Sequence, residues 1–163
     1  SSAASDVYKR QILTYMLENA VNYGTGQSAK VFKDGQLIPM AGKTGTTSDY
    51  VSAWFTGYTP TLATVVYVGN DDNKSMGTGM TGGAAAAPIW KTYMQTVVDL
   101  PNYNVGVFEF IDDYITRKDL TTRDIDLQIG LLDRDGVNKR TALFKAGTEP
   151  VESEGKFRNG ITF

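Results

Sequence analysis

The sequence predicts an α+β fold in which helices pack on an antiparallel sheet. Three observations predict it. Apolar residues recur at helical spacing over residues 12–24. Three runs rich in Thr, Val, Tyr, Trp and Phe then follow one another through short connections over residues 42–68, and a second helical stretch covers residues 84–100.

In the first helix, Leu13, Met16, Leu17, Ala20 and Val21 fall three and four residues apart, and Gly24 stands where helices commonly end in the left-handed region. Residues 29–32 and 36–38 read as short strands around Lys33-Asp34-Gly35, a small hairpin leading into Pro39-Met40-Ala41-Gly42. The main strands are expected at residues 42–47, 51–58 and 62–68; Thr59-Pro60-Thr61 joins the last two, and such short links favour an antiparallel meander. Gly-rich residues 77–83 read as a mobile connection to the second helix, which tolerates Pro88 only in its first turn. Trp54, Phe55, Tyr58 and Trp90 are expected in the core between sheet and helix.

Beyond Pro101 the pattern changes to short strand-like pieces at residues 105–111 and 130–132 among many Asp and Arg residues, and residues 147–163 are polar. The expected organisation is a main lobe at residues 12–100, a small β-rich extension at 101–150 and a polar tail at 151–163. Ser5-Asp6-Val7-Tyr8-Lys9-Arg10-Gln11 resembles the peptide that appears when sequencing-adaptor DNA is translated. Residues 1–11 are therefore expected to be foreign to the native protein.

With 163 residues, 41% apolar and 21% charged, the chain has enough apolar surface for one sizeable core. Its net charge of −2 and scattered Lys and Arg residues give no basic footprint for nucleic acid or anionic lipid. Cysteine and histidine are both absent, which removes disulfides, Cys/His metal sites and every nucleophile that relies on a histidine base. Lysine or a carboxylate is left as the base. The longest apolar run, residues 62–68 interrupted by Thr64, is far shorter than the ~20 residues of a membrane helix. No cofactor is implied: Asp71-Asp72-Asn73 reads as a solvated turn, and residues 77–83 lack the spacing of a phosphate-cradling loop.

Chemistry concentrates in Lys43-Thr44-Gly45-Thr46-Thr47. On a strand, alternation puts Thr44 and Thr46 on one side, where both hydroxyls can hydrogen-bond a single carboxylate. Gly45 removes a side chain where another backbone must come close. Lys43 brings a fixed positive charge that attracts an anion or favours deprotonation of a neighbouring hydroxyl. An extended peptide ending in a carboxylate can add to such a strand.

Lys-Thr-Gly, together with S-x-x-K and S-D-N, is the signature of penicillin-binding proteins and class A β-lactamases. The surroundings resemble the class A, bifunctional penicillin-binding proteins more specifically. The series runs through Gly24-Thr25-Gly26, Gly42 to Thr47, Ala53-Trp54-Phe55, Gly57-Tyr58, Val66-Tyr67-Val68-Gly69, Gly82-Gly83 and Ala87-Pro88-Ile89-Trp90. A fainter likeness continues through Ile125-Asp126, Gly130-Leu131-Leu132 and residues 144–150.

The resemblance implies part of a penicillin-binding, serine β-lactamase-like transpeptidase fold that acts by serine acyl transfer on peptidoglycan stem peptides and is acylated by β-lactams. Lys43 then supplies the charge of the third motif, Thr44 and Thr46 hold the terminal carboxylate with Gly45 and Thr47 beside them, and the Thr46 N–H is one oxyanion donor. It also implies a parent with an N-terminal membrane anchor, a glycosyltransferase domain and a periplasmic or extracytoplasmic location. The segment itself is expected to contact neither membrane nor nucleic acid; its partners are stem peptides, β-lactams and the upstream remainder of its own domain.

No S-x-x-K precedes Lys43 and no S-x-N occurs anywhere. The one S-x-x-K match, Ser153-Glu154-Gly155-Lys156, falls in the polar tail, and Ser48-Asp49-Tyr50 follows the third motif and reads as a turn. The chain is expected to hold half an active site, to be inactive alone and to expose apolar surface that the upstream helices would cover. Three alternatives stand beside this reading, one of them a non-catalytic module that binds peptidoglycan or β-lactam without turnover. A serine β-lactamase or D,D-carboxypeptidase uses the same motif, and a P-loop nucleotide-binding domain shares Gly42-Lys43-Thr44, although Leu37 stands where its first glycine is required.

Overall fold

The computed structural model describes residues 2–108, 119–126, 130–132 and 139–150. The chain divides into two compact units, Leu13–Glu109 and a second formed by Ser1–Ile12 with Phe110–Phe163.

The first unit begins inside helix α1 (Ser2–Asn22). The Thr14 and Tyr58 hydroxyls lie 2.9 Å apart, and Lys30 Nζ donates to the Asn22 carbonyl at 2.9 Å, satisfying a group that the helix end leaves open. Of the predicted apolar stripe only Val21 is buried; Leu13 and Met16 are more than half exposed. Gly24 ends the helix for a different reason from the one expected. Its φ is not positive, but a Cβ there would lie 2.8 Å from the Ala20 carbonyl oxygen, so the tight exit of the chain requires glycine.

A 3₁₀ turn (Gln27–Ala29) takes the first residue of the strand expected over 29–32, and the hairpin is shorter than anticipated: β1 (Phe32–Lys33) pairs with β2 (Gln36–Leu37). Asp34 and Gly35 both have positive φ, 52° and 78°, as a two-residue turn of this hand demands.

The main sheet is an antiparallel meander in the order β3 (Ala41–Thr46), β4 (Ser52–Tyr58), β5 (Ala63–Gly69). Register is fixed by pairs such as Thr44 with Phe55, Gly45 with Trp54, and Phe55 with Val66. The expected strands therefore form within a residue of their predicted limits, and Ser48–Tyr50 is a 3₁₀ turn between the first two. Asp71-Asp72-Asn73 is a turn as well, with Asn73 N–H donating to the Asn70 carbonyl and Asp72 paired to Lys74 at 2.7 Å.

A π-helical turn (Gly82–Ala86) opens into helix α2 (Ala87–Val98), with Pro88 in its first turn. Its buried side, Trp90, Met94 and Val98, packs with Phe55, Ala53, Val21, Val31 and Met40. Trp90 meets Phe55 edge to face at 5.3 Å and donates its indole N–H to the Thr64 carbonyl at 3.0 Å, so the largest core residue leaves no polar group unpaired. The Gln95 amide makes both bonds with the Phe32 backbone, fixing β1 to α2. Trp54, expected in the core, is 42% exposed. It neighbours Phe55 along the strand, and a period of two sends the pair to opposite faces.

In the second unit, β6 (Leu120–Asp126) pairs antiparallel with β7 (Lys139–Lys145), and Leu132 bridges to Ile125. Lys139 at 2.6 Å and the Thr141 hydroxyl at 2.7 Å hold the Asp124 carboxyl below its ordinary range. Residues 105–108 lie in no strand, although one was expected there; residues 109–111 and the tail with Ser153 and Lys156 fall outside the described residues.

Candidate active site

Strand β3 is an edge of its sheet, and this decides what the Lys-Thr-Gly residues can do. The Thr47 N–H donates to the Ser52 carbonyl at 3.0 Å. Because an antiparallel ladder alternates, the N–H groups of Thr46 and Thr44, opposite Ala53 and Phe55, point the other way, out of the open edge. Two backbone donors are thus presented to an incoming group without breaking any sheet hydrogen bond.

The hydroxyls of Thr44 and Thr46 share the face of β3 that the turn at Gly82 covers. They line one cavity of about 450 Å³ with Thr25, Thr81, Gly83 and Ala84. None of these lining residues carries a charge, while four carry hydroxyls. Gly82 N–H donates to Thr46 Oγ1 at 2.9 Å, and Thr25 Oγ1 lies 2.7 Å from Thr44 Oγ1. Ala84 N–H donates to Thr81 Oγ1 at 3.2 Å, so Thr81 caps the helical turn that closes the cavity. A hydroxyl that accepts from a backbone N–H keeps its own proton for another acceptor. The cavity is therefore lined with donors and suits a carboxylate.

Lys43 starts on the opposite face, opposite Thr56, is exposed, and curls round the strand to donate from Nζ to the Thr44 carbonyl at 2.8 Å. Its charge stands at the same strand edge as the outward N–H groups. Thr47 lies apart from the cavity: its hydroxyl accepts from Ser52 N–H at 2.7 Å and holds the turn into β4. Gly45 plays the close-approach role expected of it, but on both faces. Its own Cβ would touch Trp54 Cβ at 3.3 Å, and Gly82 packs against its backbone so closely that a Cβ on Gly82 would sit 2.6 Å from the Gly45 carbonyl oxygen.

Three of these residues escape motif reading. Thr25 reads as part of a helix stop and Gly82 as part of a mobile connection, yet both hydrogen-bond the third motif; Thr81 is visible only as a cap before a helix. The available signal was a lone Thr between two glycines and a Gly-Gly pair directly before a helix. Among the described residues, no group of three or more acidic side chains could hold a metal ion, and no helix is long and apolar enough to cross a membrane.

The strand that follows Gly42-Lys43-Thr44 excludes a P-loop, which needs a helix there. The fold thus sets Lys-Thr-Gly on the edge strand of a sheet-and-helix lobe. The family model described as the penicillin binding protein transpeptidase domain matches residues 5–95. The chain belongs to the penicillin-binding protein transpeptidase family. It is similar to penicillin-binding protein 1A of Haemophilus influenzae, 33% identical over 86% of this chain and 16% of that protein, and of Aquifex aeolicus, 39% identical over 67% and 15%. It also superposes on the crystal structure of the Haemophilus influenzae protein with a TM-score of 0.59 at 31% identity, covering 84% of this chain and 20% of that one. The expected α+β class and the class A resemblance both hold. The chain spans about a sixth of the length of these curated relatives.

Proposed function

We propose that this chain supplies the carboxylate-binding and oxyanion-donating half of a D,D-transpeptidase site. The observation that carries this is the arrangement on β3, where Thr44 and Thr46 hydroxyls face a donor-lined cavity and the Thr46 N–H points out of the free edge.

In the reaction, a serine oxygen attacks the carbonyl carbon of the penultimate D-Ala of a stem peptide. The oxygen of that carbonyl takes up negative charge and is met by the Thr46 N–H; removing one such donor costs ~3 kcal/mol in comparable sites. The terminal carboxylate is held by Thr44 and Thr46, with Gly45 and Thr47 shaping the strand on either side. The Lys43 ammonium favours the anionic forms at the same edge. The C–N bond breaks, D-Ala leaves with a proton on its nitrogen, and the amino group of a second stem displaces the serine to form the cross-link. A β-lactam follows the same first step and stays bound.

The serine is proposed to come from a part of the domain outside this sequence, so the chain alone is inactive. Its partners are then stem peptides, β-lactams and that remainder of the domain, on the extracytoplasmic face of the bacterial inner membrane, in a protein that also polymerises glycan strands. Residues 12–100 are proposed as transpeptidase lobe, 101–150 as an extension, 151–163 as a tail and 1–11 as non-native. Sequencing the genomic locus tests the last of these, since an uninterrupted frame encoding Ser5 to Gln11 removes it.

Two measurements test the functional reading. Fluorescent penicillin should leave this 163-residue chain unlabelled, and an adduct on any of its serines would overturn the assignment of the nucleophile elsewhere. In the complete protein, Lys43→Ala should slow acylation by about a hundredfold or more. Unchanged acylation would remove Lys43 from the site.

A further inference from the structure

We propose that Thr25 is a positioning residue for the substrate carboxylate, acting through Thr44; this rests on the carboxylate-binding reading of β3 given above.

Thr46 Oγ1 accepts from Gly82 N–H, so its single proton is left to donate into the cavity. Among the described residues, no backbone N–H donates to the Thr44 hydroxyl in this way. That hydroxyl lies 2.7 Å from Thr25 Oγ1, and one proton bridges the two oxygens. If Thr44 donates to Thr25, it has nothing left for a carboxylate. If Thr25 donates, Thr44 is held exactly as Thr46 is, by a donor behind it, with its own proton free. An anion in the cavity selects the second state, giving a chain from Thr25 to Thr44 to carboxylate in which each bond strengthens the next.

The placement of Thr25 is built rather than incidental. The Gly26 N–H donates to the Ala20 carbonyl at 3.0 Å, which folds the Gly24-Thr25-Gly26 turn back onto the end of α1. On the other side Gly83 packs on it so closely that a Cβ there would lie 2.7 Å from the Thr25 carbonyl oxygen, and the Ser28 hydroxyl donates to the Gly83 carbonyl. Thr25 is thus pinned between the end of α1 and the turn that also delivers Gly82 to Thr46. Both hydroxyls of the motif are oriented from behind by the same wall of the cavity.

The test compares acylation of the complete protein by benzylpenicillin and by its methyl ester, which lacks the carboxylate. Thr25→Val keeps the shape and removes the proton; it should slow acylation by the acid about fivefold, the scale of one neutral hydrogen bond, and leave the ester rate within about 1.5-fold. Thr25→Ser should restore the acid rate. Thr25→Ala serves as a second variant should the valine disturb folding. Equal losses with acid and ester, or no loss with either, would overturn the proposal. Thr44→Val separates it from the reading beneath it. If Thr44→Val loses the preference for the acid while Thr25→Val keeps it, Thr25 has no positioning role; if neither loses it, the carboxylate assignment of β3 itself fails.

Discussion

At the scale of single residues, the site is made of neutral hydroxyls, with Thr46 and Thr81 accepting from backbone N–H groups and Thr44 lying against the Thr25 hydroxyl, and a carboxyl shifted by burial lies elsewhere. Glu18 on α1 is half-buried, and desolvation raises its pKa above the ordinary 4.5. The sign follows from that direction. Below pH 4.5, the unfolded value, the carboxyl is neutral in both states and burial costs nothing. As pH rises through the higher folded value, the unfolded chain ionises more readily, so the fold loses stability. Glu18→Gln should therefore raise the Tm of the chain at pH 7 by about 1–3 °C, a small effect because the group is only half shielded. Melts across pH 4 to 8 check this: the gap between variant and wild type should close toward acid, and a gap independent of pH would refute the desolvation account. Residue-level reading of the sequence found Lys43, Thr44 and Thr46 because a contiguous motif holds them. It missed Thr25 and Gly82, whose partners stand 19 and 36 positions away along the chain.

At the scale of elements, the three main strands were legible because Thr, Val and aromatic residues fill them and short turns separate them. The hairpin of β6 and β7 was not. Leu120 and Leu143 are buried, but Thr121, Thr122, Arg123 and Asp124 on one strand and Lys139, Arg140 and Thr141 on the other interrupt any apolar alternation, and Asp124 is tied across the pair to Thr141 and Lys139. The turn from Gly82 into α2 was equally opaque, since a Gly-Gly pair signals freedom in sequence and close contact in the fold. Its tightness makes a sharp prediction. A Cβ at residue 82 would meet the carbonyl oxygens of Trp54 and Gly45, backbone atoms that cannot rotate away. Gly82→Ala should lower the Tm by at least about 5 °C, the effect of roughly 1 kcal/mol of strain in a unit of this size. In the complete protein it should also slow penicillin acylation, because the clash displaces the turn and carries the residue-82 N–H away from Thr46. An unchanged melting curve would show that the turn relaxes and that its contact with β3 is not needed.

At the scale of the whole molecule, the question is what a chain spanning a sixth of its relatives' length does with its surface. Among the described residues, α2 packs on one face of the sheet. On the opposite face, the Trp54 and Tyr67 rings meet at a tilt of 57° with centres 4.6 Å apart, and Val65 beside them is 55% exposed. Strand β5 adds an open edge, where unpaired backbone groups invite another strand. The net charge of only −2 is too small for much repulsion between copies. The apolar face and the weak charge point the same way: the isolated chain should self-associate in a concentration-dependent manner. Sedimentation velocity at several loading concentrations checks it, and salt separates the causes, because raised ionic strength weakens charge pairing and strengthens apolar burial. Association that grows with sodium sulfate, and that falls in a Trp54→Thr, Tyr67→Thr double variant with an unchanged melt, would assign it to this face. A wild-type chain that stays monomeric at every concentration and salt level would show that these side chains are tolerated in water as they stand.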